Sequence, residues 1–230
     1  LGIPVMQDRA AQALVKQALE PEWEARFEPN SYGFRPGRGC HDAIQYIFEQ
    51  IMHQPKYVLD ADISKCFDRI DHNALLDKMD AAPRVRRMVR GWLKAGVMEG
   101  DVFQRTERGT PQGGVISPLL ANIALHGLEE EIMRQIPLRR MIAGEDVTWW
   151  PRVIRYADDF VIMHRDLEVI HNFRNVTEKW LAMMGLELSP AKTRIVHTLE
   201  AINGQPAGFD FLGFHIQQVP TGQTHTHRYT

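Results

Sequence analysis

The 230-residue sequence has little of several features that would place a protein in a specialised class. Its two cysteines, Cys40 and Cys66, are too few for a disulfide framework and lack the paired spacing of a metal site, so we expect a reducing compartment. No apolar run approaches the roughly 20 residues that a membrane-spanning helix needs, and we expect no membrane partner. The 27 Lys and Arg are balanced by 29 Asp and Glu, which excludes a strongly basic nucleic-acid-binding arm.

The order of apolar and polar residues predicts an α+β fold. Apolar side chains recur at helical spacing in five segments, at residues 11–19, 43–51, 83–95, 117–133 and 167–184. Runs of β-prone residues predict strands at residues 57–63, 153–157, 160–164, 193–197 and 209–216. Helices and strands do not alternate regularly, so we expect a hairpin-containing sheet rather than a doubly wound parallel one. The polar residues 96–109 indicate a loop or an exposed hairpin.

Acidic residues interrupt two of the predicted strands. Asp158 and Asp159 fall within an apolar run, although such a pair on its own is more typical of a solvated turn. Asp60 and Asp62 lie in a strand whose Leu59 face is expected to pack inward, which places both carboxylates on the opposite face. Because unpaired carboxylates are costly in a buried strand, we expect that face to line a cleft that binds cations.

Carboxylates that meet from two strands have a defined chemical use. Oxygen ligands favour Mg²⁺, which completes its coordination with water and substrate phosphates. Two such ions about 4 Å apart can activate an attacking hydroxyl and stabilise a leaving pyrophosphate. Polymerases and nucleases both use this arrangement, so the acidic residues by themselves leave these two classes open.

Six motifs in a fixed order point to a family that the chain resembles. The segment Tyr156-Ala-Asp-Asp159 is similar to the YxDD hairpin of reverse transcriptases. The other five motifs follow the order found in the reverse transcriptases encoded by group II introns, the maturase family; they are SYGFRPGRGCHDAI, DADISKCFDRIDH, GTPQGGVISPLLANIAL, LSPAKTRI and FLGF. The motifs span nearly the whole chain. The resemblance implies the fingers and palm of a right-hand polymerase, with an antiparallel palm sheet and the YADD hairpin packed on helices.

The resemblance also implies a division of the chain into domains. Residues 1–56 correspond to part of the fingers, 57–80 to the palm, 81–112 to a connection between fingers and palm, and 113–230 to the rest of the palm. The last part ends at a hairpin that resembles the primer grip. The sequence begins inside the first family motif and includes no helical thumb, so we expect a piece of a longer protein that is weakly active or inactive by itself.

The family pattern assigns catalysis to three carboxylates. Asp62 and Asp158 match the catalytic metal-binding residues, Asp159 matches a weaker third ligand, and the backbone carbonyl of Ile63 matches a further metal ligand. Asp60 is expected to be an outer neighbour and not a ligand. The implied cofactor is Mg²⁺, as two ions.

Other positions match residues that contact nucleotide or primer in the family. The implied nucleotide-binding residues, of which the first would exclude a 2′-hydroxyl, are Phe67, Gln112, Lys192 and Arg35. The implied primer and template contacts are Tyr156, Ala157, Gly113, Phe211, Leu212 and Gly213.

Several of these positions have a structural alternative. Phe67 can be an ordinary core side chain, and Lys192 a solvated surface lysine. Residues 109–118 can be a plain helix entry, with Ser117 as the N-cap and Pro118 at the first helical position. Arg35 can bind phosphate, or it can pair with Asp42 or Glu49 and fix its own loop.

The implied function is RNA-directed DNA polymerisation, by two-metal nucleotidyl transfer to a primer 3′-hydroxyl, with a role in intron splicing and mobility for the intact protein. The implied partners are template RNA, primer DNA, dNTP and group II intron RNA, in a cytoplasmic, bacterial or organellar, nucleic-acid-associated location. Two alternatives stay open. One is another bacterial reverse transcriptase, CRISPR-associated or retron-like, and the other is an RNA-binding splicing factor with a vestigial polymerase site. The oligomeric state is not predicted.

Overall fold

The structure, a computed structural model, describes residues 3–99, 102–111, 113–135, 141–142, 145–146, 150–202 and 204–220. The helices of this part of the chain are α1 (Met6–Glu24), α2 (Cys40–Ile51), α3 (Cys66–Arg69), α4 (His72–Lys78), α5 (Pro83–Leu93), α6 (Ser117–Leu125), α7 (Leu128–Arg134) and α8 (Leu167–Ala182). The strands are β1 (Tyr57–Asp62), β2 (Val97–Glu99), β3 (Val102–Gln104), β4 (Met141–Ile142), β5 (Glu145–Asp146), β6 (Arg152–Tyr156), β7 (Asp159–His164), β8 (Arg194–His197), β9 (Phe209–Phe211) and β10 (Phe214–Ile216).

A four-stranded antiparallel sheet, in the order β6-β7-β1-β8, forms the centre of the fold. The hairpin β6–β7 carries the acidic turn, and β7 pairs with β1 along its whole length, from Tyr57 opposite His164 to Asp62 opposite Asp159. The α+β prediction is confirmed. The register matters for function, because it brings the acidic end of β1 beside the acidic start of β7.

Each face of this sheet is covered by its own apolar core. Leu59 and Phe160 point into a large core built with α1 and α4–α8, whereas Val58 and Val161 point into a smaller core with α2, β9 and β10. The strand residues of β7 are therefore buried on both faces, which explains their unbroken apolar run. The expectation that the face opposite Leu59 lines a cleft is wrong for Val58, which is buried in the smaller core. Asp60 and Asp62, farther along that face, are only partly buried.

One predicted helix differs from the observed structure, and two short helices were not predicted. The segment predicted as one helix at residues 117–133 is two helices, since Gly127 adopts a φ of +94° and ends the continuity between α6 and α7. Ser117 is the first residue of α6 rather than its N-cap, which is Ile116, and the Ser117 hydroxyl donates to the carbonyl of Pro111 (2.7 Å). The short helices α3 and α4 were not predicted, although Asp71 caps α4 through hydrogen bonds from two backbone amides.

Two of the remaining segments form hairpins. Residues 96–109 include the exposed hairpin β2–β3, which was one of the two predicted alternatives. The predicted strand at 209–216 is a hairpin, in which Leu212 and Gly213 form a two-residue turn with φ values of +52° and +83°. Among the residues that the structure describes, no helix is both long enough and apolar enough to cross a membrane.

Candidate active site

Three acidic residues lie together where β1, β7 and the hairpin turn meet. Asp62 is the last residue of β1 and stands directly opposite Asp159, the first residue of β7. Asp158 occupies the two-residue turn that connects β6 to β7, next to Ala157. The fold thus brings the three predicted catalytic carboxylates, Asp62, Asp158 and Asp159, to one end of the central strands. We call this end of the sheet the acidic edge.

Two of the carboxylates, Asp158 and Asp159, bind protons more tightly than an ordinary Asp. The pKa of Asp159 rises to about 6, mainly because of partial burial and then because of the nearby negative charges of Asp158 and Asp62. Burial also raises the pKa of Asp158, and the charge of Asp62 adds to the effect. Such mutual repulsion is relieved when a cation binds, so the electrostatics of this edge favour a positively charged partner.

One positive side chain already contacts this edge. The exposed ammonium of Lys192 donates a hydrogen bond to Oδ2 of Asp62, and this bond raises the pKa of Lys192. Lys192 lies after the short bridge between Ile63 and Leu188, which places the loop of residues 189–193 beside the end of β1. The lysine predicted to contact nucleotide is therefore at the acidic edge, while its contact with nucleotide stays a prediction.

The residues present fit a divalent cation whose coordination is completed by other molecules. Across the described ranges, no three His, Cys, Asp or Glu side chains are arranged as a ready metal cage. The donors at the edge are all oxygens, as Mg²⁺ prefers, and Mg²⁺ commonly binds through one or two carboxylates plus water and phosphate. The convergence of Asp62, Asp158 and Asp159 on shared ions stays a prediction.

The backbone around Ile63 leaves its carbonyl outside the neighbouring bridge. The amide of Ser189 donates to the carbonyl of Asp62 (2.8 Å), and the amide of Ser64 donates to the carbonyl of Glu187 (2.9 Å). Neither hydrogen bond uses the carbonyl oxygen of Ile63. This arrangement is compatible with the metal-ligand role predicted for that oxygen.

Asp60 has a different partner from the other carboxylates of this region. Nε of Arg194 donates to its Oδ2 at 2.8 Å, across the β1–β8 pair. Because this ion pair occupies Asp60, the side chain is not free to join the acidic edge. The pairing agrees with the expectation that Asp60 is an outer neighbour.

The ring of Phe67 is half buried against the large core and also contacts an exposed aromatic side chain. The rings of Phe67 and Phe34 meet edge to face, with 6.1 Å between centroids and an angle of 80°. Phe34 is 49% exposed and adopts a φ of +60°, which is unusual for an aromatic residue. Phe67 therefore combines a core contact with a position at the surface, and its role in excluding a 2′-hydroxyl stays a prediction.

Residues of α1 and α3 are hydrogen-bonded to the glycine-rich loop before α6. The side-chain oxygen of Gln12 accepts a hydrogen bond from the amide of Val115 (2.9 Å), and the loop amide of Thr110 donates to the carbonyl of Phe67 (2.6 Å). Gly113 is exposed with a φ of +108°, so its predicted primer contact is sterically open and untested. Gln112, predicted to contact nucleotide, lies outside the described residues.

The prediction that Arg35 contacts nucleotide is wrong. Its side chain is only 3% exposed and forms a bidentate ion pair with Glu24, at 2.8 to 3.1 Å. Its Nη1 also donates to the carbonyls of Glu28 and Ser31, at 2.8 Å each. The guanidinium therefore fixes its own loop to α1, as in the structural alternative, but with a partner other than Asp42 or Glu49.

The hairpin predicted to contact primer is only partly available for that contact. Phe211 is 3% exposed and its ring packs in the smaller core, so this side chain is not available to a primer, while a contact through its backbone stays a prediction. Leu212 and Gly213 form the tip of the hairpin and remain candidates. Tyr156 is half buried against the same core, and Ala157 is buried in the acidic turn; their primer contacts are untested.

The sequence patterns did not identify two buried residues that are hydrogen-bonded to the acidic turn or to each other, Arg155 and Asn122. Arg155 is 3% exposed and Asn122 is 1% exposed, and they are hydrogen-bonded to each other at 3.0 Å. A charged residue three positions before the acidic pair, directly after the apolar Val153 and Ile154 of a predicted strand, was the available signal. An isolated Asn inside the apolar helix α6 was a second signal.

Comparison with known sequences gives matches over most of the chain. The profile of the family described as reverse transcriptase (RNA-dependent DNA polymerase) matches residues 1–216. Protein YkfC of Escherichia coli (strain K12) is 33% identical over 250 residues, which cover 94% of this chain and 62% of that protein. The group II intron-encoded protein LtrA of Lactococcus lactis is 39% identical over 137 residues, which cover 58% of this chain and 23% of that protein. The chain spans less than two thirds of both relatives.

Comparison with solved structures gives a similar fold. Telomerase from Candida albicans, in complex with a fragment of telomeric RNA, superposes on 89% of this chain and 36% of its own, with a TM-score of 0.67 and 14% identity. Telomerase from Candida tropicalis gives a TM-score of 0.66 at 15% identity, over 89% of this chain and 43% of its own. These matches confirm the fold class and the resemblance inferred from the motifs.

Proposed function

Because the chain belongs to the reverse transcriptase family, and its relatives include group II intron-encoded proteins, we propose that the intact protein is an RNA-directed DNA polymerase. The observation that carries the proposal is the cross-strand position of Asp62 beside the turn that holds Asp158. This arrangement provides an acidic edge with an adjacent lysine. Phe67, which is half buried against the large core, follows five residues after Asp62. A polymerase needs such a site to align a primer hydroxyl with an incoming triphosphate.

The residues of the edge would divide the work of nucleotidyl transfer. Asp62 and Asp158, with the carbonyl of Ile63 and a weaker contribution from Asp159, would hold two Mg²⁺ ions. When bound, the ions would supply activation of the primer hydroxyl and neutralisation of the triphosphate. Lys192 stays protonated beside Asp62 and could donate a proton to the departing pyrophosphate.

The selection of deoxyribonucleotides would rest on shape. The ring of Phe67 packs against the large core and also contacts Phe34, and these contacts would oppose its movement away from an added hydroxyl. In the domain division that we propose, residues 1–56 belong to the fingers, 81–112 connect the fingers to the palm, and the acidic edge belongs to the palm at 57–80 and 113–230. The hairpin tip at Leu212 and Gly213 would approach the primer.

Primer extension on an RNA template tests the proposal. Asp158→Asn removes the charge of a proposed metal ligand with little change in shape, so we expect the full-length variant to lose on the order of 10³-fold or more in rate. Asp77→Asn makes the same chemical change on the exposed face of α4 and should retain the activity of the unmodified protein. A full-length protein that extends no primer, or an Asp158→Asn variant as active as the control, would contradict the proposal.

Because the relative from Lactococcus lactis is named as a group II intron-encoded protein, we propose a second role, in the splicing of such an intron. We propose template RNA, primer DNA, dNTP and group II intron RNA as partners of the intact protein. Splicing of a candidate intron RNA, measured beside primer extension, separates the two roles. Asp158→Asn should abolish extension and leave splicing intact. A protein that splices but extends no primer, even without substitution, would instead be a splicing factor with a vestigial polymerase site.

A further inference from the structure

We propose that Arg155, Asn122 and Gly33 form a clamp that positions the turn Ala157–Asp158, and that this clamp sets the rate of the chemical step rather than the affinity for nucleotide. The inference deepens the proposed polymerase function and rests on it. None of the three residues needs to touch substrate. They act through the backbone of the turn, so they are positioning residues.

Arg155 contacts the turn directly. Its Nη1 donates one hydrogen bond to the carbonyl of Ala157 (3.2 Å) and another to Oδ1 of Asn122 (3.0 Å). The residue is 3% exposed, so these bonds are protected from water. Together with Glu28 and Ser31, Arg155 lines a cavity of about 10 Å³, so little empty space adjoins the residue.

Asn122 connects the guanidinium to a different part of the chain. Its Nδ2 donates to the carbonyl of Gly33 at 2.8 Å, while its Oδ1 accepts from Arg155. Both ends of the amide are therefore used, and the residue is 1% exposed on α6. An amide is suited to this bridge because it offers a donor and an acceptor at a fixed distance.

Gly33 closes the clamp from the other side of the turn. A β-carbon at this position would lie 2.3 Å from the amide nitrogen of Ala157, so only glycine allows the two backbones to approach so closely. The segment before it is joined to β6, where the amide of Tyr32 donates to the carbonyl of Arg155 (2.8 Å) and the amide of Arg155 donates to the carbonyl of Asn30 (2.9 Å).

The turn needs this support because its backbone is strained. Ala157 adopts a φ of +57°, a conformation that costs a residue with a β-carbon roughly 1–2 kcal/mol. A hydrogen bond to its carbonyl and a close neighbour at its amide oppose relaxation of the turn. Relaxation would move Asp158, which follows directly, away from Asp62.

A one-atom change tests the clamp. In Asn122→Asp, Oδ1 still accepts from Arg155, but the second oxygen faces the carbonyl of Gly33 and cannot donate. We expect kcat for single-nucleotide addition to fall by about 10- to 100-fold with the KM for dNTP unchanged, because small misplacements of reacting groups carry penalties of this order. Asn172→Asp makes the same change on an exposed position of α8 and should leave both constants unchanged.

A measurement on the metal-free protein separates positioning from folding and from activity. Hydrogen exchange of peptides that cover residues 152–160 should accelerate in Asn122→Asp while peptides of α8 exchange as before. Should Asn122→Asp fail to fold, Asn122→Ser, which is too short to bridge, replaces it. Unchanged kcat and unchanged exchange would overturn the clamp, and so would exchange that accelerates throughout the chain. An unmodified protein without polymerase activity would refute the proposed function, while the exchange result would still decide the clamp.

Discussion

Substitution of Gly33 by alanine should move the acidic turn without altering any charge or hydrogen-bonding group. The new β-carbon would lie 2.3 Å from the amide nitrogen of Ala157 and 2.9 Å from the carbonyl carbon of Tyr156, where an ordinary contact is at least 3.4 Å. Gly33 is not among the glycines with positive φ, so the alanine backbone itself is not strained. The effect of the substitution therefore comes from the close approach alone.

The size of the effect follows from the distance to be recovered. Either the loop of Gly33 or the turn of Ala157 must retreat by about 1 Å, and overpacking of this kind typically costs about 1–3 kcal/mol of stability. For a domain of this size, that corresponds to a fall of roughly 2–12 °C in Tm. If the turn is the part that moves, a displacement of about 1 Å at Asp158 should lower kcat by about 10²-fold.

The assay compares single-nucleotide addition, at saturating dNTP, for Gly33→Ala and Gly91→Ala. Gly91 lies in α5 and has no positive φ, and a β-carbon added there would have no neighbouring atom within 4 Å, so its substitution should change neither rate nor stability for the worse. A Gly33→Ala protein that keeps the rate of the control would refute the reasoning. A loss of rate that disappears when the temperature is lowered until both variants are equally folded would also refute the reasoning, because the loss would then come from unfolding.

Two further predictions concern the ring of Phe67 and the carboxylate of Asp159. Phe67→Val should make ribonucleotides compete better with deoxyribonucleotides, by on the order of 10-fold or more if the ring supplies more than about 1.4 kcal/mol of discrimination; an unchanged ratio of kcat/KM for the two substrates would remove that role. In the metal-free protein, the pKa of Asp159 is about 6, against 3.8 for an ordinary Asp. Between these pH values the folded state binds a proton that the unfolded state has released, so the stability of the fold should fall as the pH rises through this window. The difference in Tm between pH 4.5 and pH 7 should therefore shrink in Asp159→Asn, and an identical pH dependence in both proteins would contradict the assignment.

Local sequence patterns were sufficient to predict part of the central sheet. Local patterns located β1, β6 and β7, and the two-residue spacing between the last two predicted their hairpin. The pairing of β7 with β1 is not local, and no local pattern predicted it; the resemblance to the family implied only that Asp62 and Asp158 contribute to one metal site. The register of this pair, with Asp62 opposite Asp159, was not predicted and is a finding of the structure.

The errors share a physical cause, which is that a side chain's partner is set by distant parts of the chain. A guanidinium suits phosphate and carboxylate equally, so the sequence could not indicate that Arg35 pairs with Glu24 of α1. The apolar run around Phe211 could not show which ring faces the smaller core. The apolar positions of 117–133 continue across Gly127, so the helical periodicity hid the break between α6 and α7.

The position of Asp158 has a different origin from that of Asp62. Asp62 is fixed by the ladder of β1, where a shift of one residue would move every buried side chain of the strand to the wrong core. The ladder ends at the pair of Tyr156 and Asp159, so it places Asp159 but does not determine the conformation of the two residues between them. That conformation depends on α6 and on the loop of Gly33. The alignment of the two principal carboxylates therefore requires contacts from outside the sheet, and substitutions there should change the rate while the sheet itself stays folded.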